Sequence, residues 1–85
     1  MSKIQKFLEV LLRGTSDNNI LFDDMRSLLL RLGFSERING SHHIYNREGV
    51  DVGLNIQPDS HGKMKPYQVR QVRKVVLKYN LDGEV

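Results

Sequence analysis

Apolar positions along the chain change period twice, from helical spacing to alternation and back. Ile4, Phe7, Leu8, Leu11 and Leu12 recur at the i, i+3, i+4, i+7, i+8 spacing of an amphipathic helix. Gly14 supplies a stop, and Thr15-Ser16-Asp17-Asn18-Asn19 a polar turn. Phe22, Met25, Leu28, Leu29 and Leu32 predict a second helix. Asp23 and Asp24 in its first turn and Arg31 in its last suit the helix dipole, and Gly33 ends it. The middle of the chain reads as strands. Residues 34–38 alternate loosely, Asn39-Gly40 is a turn signal, His43-Ile44-Tyr45 is β-prone, and Arg47-Glu48-Gly49 makes a second turn. Val50, Val52, Leu54 and Ile56 then alternate with Asp51, Gly53 and Asn55, the period of a half-buried strand. Residues 58–62 read as loop. Pro66 suits the first turn of a last helix, in which Val69, Val72, Val75, Val76 and Tyr79 fall on one face. Valine is a weak helix former, so periodicity decides this element against propensity. The predicted order is helix, helix, strand, strand, strand, helix. It implies an α+β sandwich, a three-stranded antiparallel sheet with helices on one face.

Length and composition narrow the classes. An 85-residue chain with 39% hydrophobic and 27% charged residues reads as one globular domain spanning residues 1–85. No apolar run exceeds three residues, as in Leu28-Leu29-Leu30, so no membrane span is expected. The start, Met1-Ser2-Lys3-Ile4-Gln5-Lys6, lacks a signal-peptide apolar region. The absence of cysteine removes disulfides, zinc–thiolate sites and thiol nucleophiles. A cytoplasmic protein is the expectation.

The formal charge is only +3, but its placement is uneven. Residues 63–80 hold Lys63, Lys65, Arg70, Arg73, Lys74 and Lys78 and no acid. Arg70, Lys74 and Lys78, at i, i+4, i+8, form a row on the last helix, with Arg73 at its edge. Solvated helix faces usually mix signs for pairing; this one does not, which favours a polyanion or an acidic partner over a merely wetted surface.

Candidate chemistry gathers at Asn39-Gly40-Ser41-His42-His43. Gly40 permits a positive φ and close backbone approach, Ser41 adds a hydroxyl, and a histidine there titrates near neutrality as a general base or acid. The plainer alternative is a hairpin turn whose histidines pack and hydrogen-bond. His42 and His43 should point to opposite sheet faces, so a shared metal site is not expected. His42 is in register with Ile44, which would aim it at the core unless the Gly40-Ser41 loop re-aims it. His61-Gly62-Lys63, in a loop before a helix, either holds a phosphate or is simply a loop. Tyr45, Tyr67 and Tyr79 are candidates for stacking on bases, Tyr79 more naturally belonging to the core. No P-loop, no Gly-x-Ser-x-Gly and no cofactor fingerprint occurs, and no cofactor is expected.

These residues resemble a known family. Leu28-Leu29-Leu30-Arg31-Leu32-Gly33-Phe34, then Arg37, then Gly40-Ser41-His42-His43-Ile44-Tyr45, is similar to the signature of HicA (YcfA-like) toxins, in which a helix ends in Gly-Phe or Gly-Trp and a Gly-Ser-His turn opens the next strand. Pro58-Asp59-Ser60-His61-Gly62-Lys63-Met64-Lys65-Pro66 resembles the family's Pro-x-His segment before its last helix. The similarity covers residues 22–79, with a HicA-like core of about residues 20–80 preceded by an extra N-terminal helix in residues 1–14.

The resemblance implies a double-stranded-RNA-binding-like fold, metal-independent endoribonuclease activity on mRNA that blocks translation, and neutralisation by a HicB-like antitoxin. It places the family's key histidine at His42 and its glycine at Gly40. Gly40, Ser41, His61, Lys63, Lys65, Arg70, Arg73, Lys74 and Lys78 are then the candidate RNA contacts. The chain departs from the pattern in three places: the extra helix, the two residues between Pro58 and His61 where one is usual, and Pro66-Tyr67-Gln68-Val69 where many members have a glycine-containing helix start. Two other readings stay open, a non-catalytic RNA-binding domain and a module serving only an antitoxin-like partner.

Overall fold

The computed structural model describes residues 2–85. Its elements are α1 (Lys3–Arg13), α2 (Phe22–Arg31), β1 (Ser35–Asn39), β2 (His42–Asn46), β3 (Leu54–Ile56) and α3 (Pro66–Lys78). Two short 3-10 turns, Asp17–Asn19 and Leu81–Glu84, were not foreseen from the sequence. The three strands form one antiparallel sheet in the order β1-β2-β3. The architecture is the α+β arrangement of a double-stranded-RNA-binding-like fold, preceded by α1. Among the described residues no helix is long and apolar enough to cross a membrane.

Each helix has a local reason to begin and end where it does. α1 opens with a capping box: the Ser2 hydroxyl accepts from the Gln5 N–H, and the Gln5 side chain accepts from the Ser2 N–H. α2 ends in a Schellman motif. Gly33, at φ 88°, donates to the Leu30 carbonyl, and Phe34 donates to the Leu29 carbonyl while burying its ring. The Gly-Phe pair is thus a helix stop that turns the chain into β1. Pro66 occupies the first turn of α3, where its missing N–H is harmless.

Alternation in the sheet divides its residues between two faces. Tyr45, Leu54 and Ile56 are buried, with Tyr45 paired to Leu54 and His43 to Ile56. On this side lie Val69, Val72 and Val76 of α3 and Met25, Leu28 and Leu29 of α2, all fully buried, while α1 adds Leu8 and Leu11 by packing on α2 and α3. Arg37, His42, Ile44 and Asn55 belong to the other face, which no helix covers among the described residues. This corrects the expectation that Ile44, and His42 with it, faces the core. Tyr45 takes the core position instead, because it presents the larger apolar area to the helices. The third strand is also shorter than its alternation predicts. Gly49, at φ 86°, turns the chain, and the Asp51 N–H donates to the Tyr79 hydroxyl rather than to a strand neighbour, so pairing begins only at Leu54.

Two polar clusters pin these layers. In the first, the buried Tyr45 hydroxyl donates to Glu36 on β1, which also accepts two bonds from Arg26 of α2 at 2.7 and 3.0 Å. The Arg26 guanidinium, then the Tyr45 hydroxyl, hold the Glu36 carboxyl down at about 2, while burial and Glu36 push the Tyr45 phenol up. In the second, Arg73 of α3 forks onto both oxygens of Asp17 at 2.9 Å and donates to the Leu11 carbonyl at the end of α1. Gly14 caps α1 at φ 73°, and a Cβ there would lie 3.4 Å from the Arg73 guanidinium.

Removing one partner of the second cluster strands the other in a half-buried setting. Arg73→Ala should therefore lower unfolding stability by about 2 kcal/mol in urea titration, against a few tenths for the exposed Lys74→Ala. The first cluster predicts acid sensitivity. A carboxyl held below its ordinary 4.5 stabilises the fold above that pH, and the contribution is lost as the pH falls toward 2. Urea midpoints should drop across that window, and Glu36→Gln should flatten the drop while lowering stability at neutral pH.

Candidate functional site

The site begins with the hairpin. Asn39 pairs with His42, so only Gly40 and Ser41 lie outside the ladder. Gly40 has φ 62° and Ser41 does not have a positive φ, the pattern of a type II′ turn with glycine at its first central position. The turn hands the chain to β2 with His42 exposed on the uncovered face. There His42 Nδ1 lies 3.3 Å from Oδ1 of Asn55 on β3. Asn39 is its cross-strand partner, and Arg37 lies diagonally from it on the same face.

His43 lies on the opposite face, as alternation requires. Its ring meets Phe22 of α2 edge-on at 4.7 Å between centroids. Its Nδ1 is buried, 3.7 Å from Glu36 and without a hydrogen-bond partner. His43 belongs to the packing between β2 and α2, and the two histidines share no site.

The loop of residues 58–63 is built, not slack. Asp59 Oδ1 accepts the backbone N–H groups of His61 and Lys63 at 2.8 and 2.9 Å. The Lys63 N–H, then that of His61, hold the Asp59 carboxyl below its usual range. The loop is fastened to the start of α2 by Phe22 N–H to the Gly62 carbonyl and by Met64 N–H to the Ile20 carbonyl. His61 is exposed on it, with Nδ1 3.3 Å from its neighbour's Ser60 hydroxyl. Gln68, buried in the first turn of α3, accepts from the Gln57 N–H and ties α3 to the end of β3.

This topology gathers some candidates and separates others. β3 runs antiparallel to β2, so the chain leaves β3 at the end of the sheet where β2 begins. Gly40, Ser41 and His42, the loop with His61 and Lys63, and the start of α3 with Lys65 therefore lie toward one end of the molecule. Arg70, Lys74 and Lys78 are exposed on α3 opposite its buried valines, facing away from the sheet. Lys74 and Lys78 stand about 6 and 12 Å beyond Arg70 along the helix axis. The basic row and His42 thus occupy opposite outer surfaces, joined at the end where α3 starts. Arg73 departs from the expected row, because its guanidinium is engaged by Asp17 and Leu11. Of the tyrosines, Tyr67 is exposed, Tyr45 buried and Tyr79 half-buried.

Asn55 and Arg37 escape a reading for candidate chemistry. Asn55 looks like an ordinary polar position in an alternating strand, and only the pairing of Ile44 with Asn55 sets it beside His42. Among the described residues no group of three or more His, Asp or Glu side chains converges as a metal-ion set would.

The arrangement can carry a proton on an exposed, oriented imidazole beside cationic side chains. Residues 22–78 match the family model described as HicA toxin of bacterial toxin-antitoxin. The matched segment runs from the first residue of α2 to the last of α3, leaving α1 and both 3-10 turns outside it. No curated protein and no solved structure matches the chain significantly. With well over half of its length matched, the chain belongs to the HicA toxin family of bacterial toxin–antitoxin systems.

Proposed function

We propose that the chain is an endoribonuclease toxin that cleaves mRNA and so inhibits translation, with His42 as its proton carrier. The observation that carries this reading is the exposed His42 imidazole, presented by a two-residue turn on an uncovered sheet face and contacted there by Asn55. A neutral imidazole nitrogen takes the proton of a ribose 2′-hydroxyl as the 2′ oxygen attacks the adjacent phosphorus. The bond to the 5′ oxygen breaks, and the imidazolium returns the proton to that leaving oxygen. The products are a 2′,3′-cyclic phosphate and a 5′-hydroxyl, with every proton accounted for. Negative charge developing on phosphorus is met by Arg37 on the same face and by Lys63 and Lys65 at the same end of the molecule.

Gly40 and Ser41 let the RNA backbone approach closely, and His61 lies on the adjoining loop. Arg70, Lys74 and Lys78 extend the cationic track around the start of α3 and along its outer face. Arg73 is omitted from this set. A toxin of this kind acts in the cytoplasm, where mRNA is translated, and its cognate partner is a HicB-like antitoxin. One observation favours a second reading, a non-catalytic RNA-binding module: among the described strand residues His42 is the one histidine on its face, and the basic row lies on the far side of the molecule.

Induced expression in a bacterium should arrest growth, and His42→Ala should relieve the arrest while binding RNA within about threefold of the parent. Arrest undiminished in His42→Ala rules out the catalytic assignment. In RNA-binding titrations across salt concentrations, Lys65→Ala and Arg70→Ala should each lower the slope of log K against log salt by about one.

A further inference from the structure

We infer that Asn55 is a positioning residue for His42: its Oδ1 accepts the Nδ1–H of the neutral ring and leaves the Nε2 lone pair facing the substrate. The inference rests on His42 being the proton carrier.

A neutral imidazole has one N–H and one lone pair, and which nitrogen holds which is set by the bond the other makes. An unassisted ring in water favours the proton on Nε2, leaving the lone pair on the nitrogen nearer the backbone. The 3.3 Å contact from Nδ1 to a carbonyl-type oxygen reverses that preference. Asn55 is well placed to impose it. Its strand neighbours Leu54 and Ile56 are fully buried, so its backbone is anchored from both sides. The pairing of Ile44 with Asn55 sets its side chain on the same face as His42, one diagonal step away. The amide carries no charge, so it orients the ring without adding an electrostatic hold on the transferred proton.

Among the described residues Asn55 is the side chain within hydrogen-bond distance of the His42 ring. Asn39, directly across the hairpin from His42, makes no side-chain hydrogen bond to the ring, and Arg37 offers only donors, which a protonated Nδ1 cannot use. The Glu36 carboxylate is on the other face and committed to Arg26 and Tyr45. Asn55 is exposed and makes no other side-chain bond among the described residues, so its replacement disturbs little else.

The test reads the tautomer directly, by two-bond nitrogen–proton NMR of the imidazoles at about pH 8, where an ordinary histidine is neutral. The wild-type His42 should show a protonated Nδ1 and a bare Nε2, and Asn55→Val should reverse the pair. In RNA cleavage, Asn55→Val should lower kcat about tenfold or more with KM nearly unchanged. Asn55→Asp keeps the acceptor, so it should retain the Nδ1-protonated ring, while its charge moves the acidic limb of the pH–rate profile upward. A wild-type ring protonated on Nε2, or a kcat untouched by Asn55→Val, overturns the inference. Full cleavage by His42→Ala alongside the expected tautomer places the failure in the role of His42, not in its contact with Asn55.

Discussion

A phenol with no access to water governs the layout of the molecule. Tyr45 is fully buried in the central strand, so its hydroxyl must find a partner inside the fold. Glu36 supplies it from β1, and Arg26 of α2 neutralises Glu36 in turn. One chain of bonds therefore joins two strands and a helix around the side chain with the largest fully buried volume. With Tyr45 fixed inward, alternation places His43 inward beside Phe22 and leaves His42 and Ile44 outward. The position of the candidate catalytic imidazole is thus a by-product of where the tyrosine is satisfied.

The helices were legible because their apolar periods are long and their ends carry explicit signals. Gly14, Gly33 and Pro66 all stand where the chain stops or starts a helix. The strands were legible as a group but not in their faces. Short alternating segments say which residues share a side, not which side is covered, and Ile44 is as apolar as a core position would be. The extent of β3 was hidden for a different reason. Val50 and Val52 keep the alternation of a strand, but Gly49 turns the chain and the Tyr79 hydroxyl, not a neighbouring strand, receives the Asp51 N–H.

The candidate site shows the same division. Gly40-Ser41-His42 could be read from the chain because turn chemistry is local. Asn55 could not, since it meets His42 only through the register of another strand. The basic run was visible as a count of charges but not as a set of partners. Arg73 looked equivalent to Arg70 and Lys74, yet Asp17, 56 residues away along the chain, had claimed it. A cation's availability depends on long-range packing, which spacing along one helix does not encode. The same guanidinium also donates to the Leu11 carbonyl, joining α1, which lies outside the matched family segment, to the helix that ends that segment.

The Gly40-Ser41 turn has a consequence for how the hairpin can change. Because strand positions alternate between two environments, the turn acts as a counter as well as a bend. With two residues between Asn39 and His42, the first imidazole emerges into solvent and the second against Phe22. A chain with one residue more or fewer there must either absorb the change within the turn or slip β2 by one position, which turns Tyr45 away from Glu36 and exchanges the faces of its two histidines. Loop length in this hairpin is therefore as much a determinant of chemistry as the identity of the side chains it presents.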